Sequence, residues 1–510
     1  MTYKTPVRDI MFGIEQLSAW PQVSSCPAYR GVDLQDAEAV LEGFGRFCEE
    51  VVAPLSRLGD EVGARLQEGQ VHLPEAYNQA YAQFVDMGWQ SLAHAAEFGG
   101  MGLPRVMGAA ATEILNAADM SFGLCPLLTD GAVEALLLTG SKAQQKRYLE
   151  PMISGRWTGT MNLTEPQAGS DLGRVRCKAE PMAEGSYAIS GTKIFITFGE
   201  HGLSENIIHL VLARVPGAPA GPKGLSLFIV PKYLVNDDGT LGARNGVECQ
   251  SLEHKLGVRA SPTAVLNYDG ATGFLVGEES RGLEYMFVMM TAARFSVGVQ
   301  GVAISERAYQ QALAYAQERL QCRPVDGSAK EAVAIIQHPD VRRMLLRMRA
   351  LTEGGRSLAL ATAGWLDLAH HGEEDQGRDA HAMGEFLVPL VKSFCTERAL
   401  EVTSLGVQIH GGMGFIEETG AAQHYRDARI LPIYEVTTGI QAADLVGRKI
   451  LLDKGAAAEE YLDELDSFIN RLNGIEGEDI AVIRRHLAAG IDSLQQAVDW
   501  LLETGAKDAD

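Results

Sequence analysis

A chain of 510 residues with a formal net charge of −22 is too long for one compact core and too acidic to grip a nucleic-acid backbone through clustered cations. Its 46% hydrophobic and 22% charged residues are ordinary globular chemistry, and no run approaches the roughly 18 apolar residues that cross a bilayer, so no integral membrane segment is expected. Seven cysteines scattered without a C-x-x-C pair predict free thiols and no metal site.

The opening Met1-Thr2-Tyr3-Lys4-Thr5-Pro6-Val7-Arg8-Asp9 carries an acid and a proline and lacks the apolar centre of a secretory signal, so a cytoplasmic location is the default expectation. From Asp33 to about Gly155 the pattern is helical. Ala37, Val40, Leu41, Phe44 and Phe47 recur at spacings of three and four, and Pro54 is expected to end that helix. Further apolar faces at Tyr77 to Met87, Gly108 to Ala118 and Val133 to Leu138 are separated by glycine-rich joints such as Gly99 to Pro104.

Around Trp157 the texture changes to short segments bounded by Gly, Pro and Asp, including Ser186 to Gly191, Ile207 to Ala213, Leu225 to Pro231 and Thr263 to Tyr268. They predict a small β-domain with alternating faces, outside any βαβ arrangement. After Gly282 long helices resume over Leu283 to Arg319, Pro339 to Leu368, Met383 to Gln408 and Ile440 to Leu452, each able to cross a bundle. Glu331 to Gln337 and His370 to Arg378 read as loops or helix-end insertions, and the His370-His371 pair matches no zinc spacing. Two acidic amphipathic helices are expected over Glu459 to Leu472 and Ile480 to Leu502.

Two clusters carry the chemistry. In Ile433-Tyr434-Glu435-Val436-Thr437-Thr438-Gly439-Ile440-Gln441, one carboxylate is hemmed by apolar and hydroxyl neighbours, downstream of Gln408-Ile409-His410-Gly411-Gly412-Met413-Gly414. A single Glu in such a segment is ordinarily a solvated surface residue. Far upstream, Asn162-Leu163-Thr164-Glu165-Pro166-Gln167-Ala168-Gly169-Ser170-Asp171 gathers hydroxyls, small residues and a turn proline in one loop, and the pair suggests a composite site. The glycine run is not G-x-G-x-x-G and follows no strand, which argues against a nicotinamide cofactor.

These residues resemble the acyl-CoA dehydrogenase family, whose first signature has the form T-E-P-x-A-G-S-D and whose catalytic segment reads Y-E-G-T. The likeness runs from about Val40 to Leu452 and looks nearest to a long subgroup that includes the methylthiopropionyl-CoA dehydrogenases, whose members continue beyond this chain's end. It implies a multidomain α and β fold: an N-terminal helical domain over 1–158, a middle β-barrel-like domain over 159–282, a C-terminal four-helix bundle over 283–455 and an additional helical segment over 456–510. The implied cofactor is FAD. The implied reaction is oxidation of the alpha-beta bond of an acyl-CoA to a trans-2-enoyl-CoA within fatty acid β-oxidation.

By the same resemblance Glu435 is the base for the alpha proton, its amide a donor to the thioester oxygen. Met161, Leu163, Thr164, Ser170, Phe195, Thr197 and Thr437 contact the flavin, and Ser170, Arg294 and Val436 meet the substrate. Arg319, Gln408, Gly411 and Gly412 contact FAD, Arg319 doing so in a neighbouring subunit. Arg294 and Arg319 would lie about 37 Å apart on one continuous helix and so serve different ligand groups. An electron-transfer flavoprotein and a homo-oligomer, a dimer by the subgroup, are the implied partners, with no metal. Val436 departs from the family where it has Gly, which predicts altered substrate selection with the chemistry retained. Met161, where relatives have an aromatic, and Pro339, after His338 in place of a common Gln, also depart. An acyl-CoA oxidase and a catalytically silent flavoprotein with an assembly or ligand-sensing role are the alternatives.

Overall fold

The structure, a computed structural model, describes residues 3–505. Helices from Val7 to Ile153 precede a sheet built between Trp157 and Val276, and helices return from Gly282 to Gly505. Asp33 caps the helix Leu34–Phe47 by accepting the Asp36 amide at 2.8 Å. The helical path does not stop at Pro54: it passes through a π-turn at Cys48–Val52 into Ala53–Val62. That turn shifts the bonding register, so the proline falls in the opening turn of the next helix, where its missing N–H is tolerated. Two further helices of this half matter below: α1, Arg105–Ala118, and α2, Met120–Thr139.

The sheet has seven strands: β1 Trp157–Asn162, β2 Lys178–Pro181, β3 Tyr187–Thr197, β4 Asn206–Ala213, β5 Ser226–Pro231, β6 Val247–Leu252 and β7 Thr263–Val276. Their order is β1-β4-β5-β7-β3-β2, with β6 also on the long β7 and only β1/β4 parallel. A bridge from Lys178 to Arg214 returns the β2 end toward β4, giving the sheet its barrel-like curl. The expected alternation fails in β4 and β5, where every residue is buried. The reason is that the sheet is covered on both faces, and α2 packs so closely on β1 that a Cβ at Gly159 would fall 2.5 Å from Ala132.

Three long helices follow, α3 Gly282–Glu318, α4 Pro339–His371 and α5 Glu374–His410, and then the short α6 Thr438–Asp444, which continues as a π-turn at Leu445–Leu451. The segment 370–378, expected as a loop or helix-end insertion, is made of two helix ends around a tight joint, because α4 runs to His371 and α5 begins at Glu374. Beyond lie α7 Ala456–Leu472 and α8 Glu478–Gly505. Two helices, Met120–Thr139 and Gly282–Glu318, are long and apolar enough to cross a membrane by length and composition alone, and most of each apolar stretch is buried inside this fold.

The two helical halves are stitched by charge as well as apolar packing. Arg356 of α4, 3% exposed, donates to Glu113 of α1 at 2.8 Å and to Glu306 of α3 at 2.7 Å. All seven cysteines are free thiols, and the described residues hold no cluster of His, Cys, Asp and Glu suited to a metal ion.

Candidate active site

Glu435 sits on a turn between Leu431 and α6 whose backbone is unusual. Glu435 has φ +48° and Val436 φ +78°, two successive non-glycine residues in the left-handed region. Val436 stands where a glycine would be at ease, which gives a physical meaning to the sequence departure. Tyr434 anchors the turn on one side: its hydroxyl donates to Gln300 on α3, whose amide donates at 2.8 Å to Asn116 on α1. On the other side the Thr438 hydroxyl donates to Glu397 of α5 at 2.8 Å.

The Glu435 carboxyl is half-buried, and among the described residues neither it nor the Glu435 amide bonds to another protein group. Burial pushes its pKa up to about 7, and the positive charges of Lys392 and Arg294 hold it from rising further. A carboxylate with free lone pairs and a pKa near neutrality is suited to general-base work. Arg294, 7% exposed on α3, donates to Asp444 at 3.2 Å and lies over the Phe287 ring. Phe287 lines a cavity of about 670 Å³ between α1, α2, α3 and α5, but Glu435 does not line it.

The upstream loop is built around its own polar anchor. Leu163 belongs to the large apolar cluster of the β-domain, which also takes in Met286, Met289 and Ala293 of α3, and Met161 and Val436 both pack against that cluster. Glu165, to which the sequence reading gave no role, is the loop's internal anchor. It pairs with buried Lys193 at 2.9 Å and accepts the amides of Arg176 at 2.7 Å and Cys177 at 3.0 Å. Lys193 also donates to the Leu163 carbonyl at 2.9 Å, and the Ile194 amide to Thr164. Thr164 and Thr197 are half-buried and Ser170 is exposed. Phe195 holds φ +61° with its ring 59% exposed, an aromatic held outward at the edge of the sheet.

Arg319, Gln408, Gly411 and Gly412 form a separate group. The helix is continuous through Glu318, so Arg319 stands about 37 Å from Arg294 at 1.5 Å per residue. It shares its end of the bundle with the other three, because Tyr315 stacks on His410 with ring centroids 4.4 Å apart. Gly411, at φ +61°, and Gly412 have open space where a Cβ would stand. Thr437 caps α6 beside the base.

The N-terminal, middle and C-terminal domain patterns of acyl-CoA dehydrogenase match residues 35–156, 160–271 and 280–451. The chain belongs to the acyl-CoA dehydrogenase family. It is 66% identical over all 510 residues to the 3-methylmercaptopropionyl-CoA dehydrogenase of Ruegeria pomeroyi, of which it covers 86%. It is 35% identical over 485 residues, 92% of this chain and 79% of the other, to a butyryl-CoA dehydrogenase of Syntrophomonas wolfei. Among solved structures, a chain described with the electron transferring flavoprotein of Acidaminococcus fermentans matches with TM-score 0.67 at 24% identity, covering 82% of this chain and 98% of that one. That likeness speaks for the fold.

As a family member the chain is an FAD-dependent acyl-CoA dehydrogenase, an oxidoreductase of CH–CH bonds. Its residues fit a large polar cofactor. The Gly411-Gly412 cradle is open, the exposed Phe195 ring offers an aromatic surface, and two buried groups are left over for a ligand. These are the whole side-chain amide of Gln441, 0% exposed, and the Nε of Arg294, which have no hydrogen-bond partner among the described residues. A buried amide left unpaired costs about 1–3 kcal/mol, so bound ligand groups would complete the site.

Proposed function

We propose that Glu435 is the base of this dehydrogenase and that it acts on a short acyl-CoA, with 3-methylmercaptopropionyl-CoA the first substrate to test. The observation that carries the assignment is the Glu435 carboxyl, without a hydrogen-bond partner among the described residues and held at a pKa of about 7 on the left-handed turn before α6. The substrate choice rests on the 66% identity to a dehydrogenase named for that thioester.

The chemistry divides between residues. Glu435 removes the proton alpha to the thioester carbonyl, and an apolar acyl chain that displaces water strengthens it as a base. Its own amide, which has no hydrogen-bond partner among the described residues, donates to the thioester oxygen as enolate character develops. FAD, when bound, supplies the hydride acceptor for the beta carbon, a capacity no side chain has. Thr164, Ser170, Phe195 and Thr197 hold the ring side of that cofactor, and Arg294 fixes the substrate end. Arg319, Gln408, Gly411 and Gly412, about 37 Å along the bundle, serve the cofactor of a second subunit in a homodimer. An electron-transfer flavoprotein in the cytoplasm would be the electron acceptor, as part of acyl-chain degradation.

Anaerobic titration of the FAD-loaded protein with butyryl-, octanoyl-, palmitoyl- and 3-methylmercaptopropionyl-CoA tests the substrate. Bleaching of the flavin by the short thioesters ahead of palmitoyl-CoA is expected, and the reverse order would contradict the substrate assignment.

A further inference from the structure

Beside the base lies a buried cation. Lys392, on α5, is 0% exposed, and its ammonium donates to the carbonyls of Leu431 at 2.9 Å and Val436 at 2.7 Å. Those two carbonyls bracket the turn that carries Glu435. The turn holds Glu435 and Val436 at φ +48° and +78°, a conformation L-residues leave unless their surroundings impose it. The lysine is delivered there by close helix packing, since a Cβ at Gly298 of α3 would fall 2.6 Å from Val391, the residue beside it. Among the described residues Lys392 forms no ion pair with Glu435, and both hydrogen bonds of its ammonium end on backbone oxygens.

We propose that Lys392 is a positioning residue for the base: it pins the two ends of the left-handed turn and keeps a positive charge near the Glu435 carboxylate without capturing it. An ion pair would occupy the lone pairs that must receive the alpha proton. An ammonium bound to carbonyls leaves them free while still favouring the ionised carboxylate. This inference rests on the reading of Glu435 as base. The charged groups bearing on Glu435 are Lys392 from α5 and Arg294 from α3, with Tyr434 on its own turn tied to Gln300. Those bearing on Lys392 are Glu435, Arg294 and Glu397, and Arg294 in turn faces Asp444, Arg448 and Glu385. Burial lowers the Lys392 pKa to about 8, so the ammonium is charged at the pH where Glu435 ionises.

The test compares Lys392→Met and Lys392→Gln with the wild type and Glu435→Gln, all FAD-loaded, by single-turnover flavin reduction across pH. Lys392→Met should lower the reduction rate about 100-fold with KM within threefold, the size expected when a reacting group is misplaced. Lys392→Gln keeps N–H donors and drops the charge, so it should retain more of the rate. Its acid limb should move up by about one pH unit, since the removed charge had favoured the carboxylate. Adding Val436→Gly to Lys392→Met should recover part of the rate by easing the turn. A Lys392→Met enzyme with wild-type rate and unmoved acid limb would overturn the proposal. If that variant does not fold, an unmoved limb in Lys392→Gln does the same. Flavin reduction surviving in Glu435→Gln would overturn the base assignment and the proposal with it, whereas loss in Glu435→Gln with normal Lys392 variants would overturn the proposal alone.

Discussion

Val436 shows how far one residue could be read in advance. Its place in a segment where the family has glycine was plain in the sequence, but the reason it matters, a β-branched residue at φ +78°, needed the backbone. The left-handed region costs roughly 1–2 kcal/mol for an L-residue, while glycine loses about 0.5–1 kcal/mol more chain entropy on folding. Val436→Gly should therefore hold or slightly raise the thermal midpoint, and it should broaden the acyl-chain profile; a loss above about 1 kcal/mol would mean that packing on the β-domain core outweighs strain. Glu435 yields a prediction with a definite sign. With its pKa near 7, the kcat/KM profile should fall as pH drops below about 7, when the base is protonated. Because its folded pKa is raised, ionisation opposes folding as pH rises past the ordinary carboxylate range. Glu435→Gln should be the more stable protein above pH 7 and lose that advantage in acid, which denaturation midpoints at pH 5 and 8 would register. Lys392 was invisible at this scale, since a single lysine in an amphipathic helix reads as part of a solvated face.

At the scale of elements, long periodic helices were legible and their punctuation was not. Pro54 misled because its rule describes an uninterrupted α-helix, and the π-turn at Cys48–Val52 removes the premise. The polar composition of 370–378 hid the start of α5, whose helicity comes from packing against α3 and α4. The loop after β1 was recognised through its hydroxyls, yet Glu165 holds it together through a lysine and amides on later segments, a relation that sequence spacing does not encode. Lys193→Met should leave Glu165 buried without its cation, destabilise the protein by about 3–5 kcal/mol and loosen the loop. Chemical denaturation and retained FAD per chain would measure the two effects, and unchanged FAD retention would remove the loop from cofactor binding.

The whole molecule places its site residues in two groups. Helix, sheet, helix followed from the change of texture near Trp157 and Gly282, but that Val436 of the base turn and Leu163 of the loop after β1 share one apolar cluster with α3 is a tertiary relation no local pattern encodes. The buried Arg356 that joins α1, α3 and α4 has partners 243 and 50 positions away, so no local pattern announced it. If the second group serves a neighbouring subunit, Glu435→Gln and Arg319→Glu chains should complement each other. Co-expressed, they should form mixed dimers in which one site has both residues intact, and activity should return to a substantial fraction of wild type. No recovery in verified mixed dimers would confine each site to one chain.

The central claim is that Glu435 takes the alpha proton. Anaerobic titration of FAD-loaded wild type and Glu435→Gln with 3-methylmercaptopropionyl-CoA, at matched FAD content, tests it most directly. The account predicts bleaching of the wild-type flavin and none in the variant; bleaching of both at similar rates would place the base elsewhere.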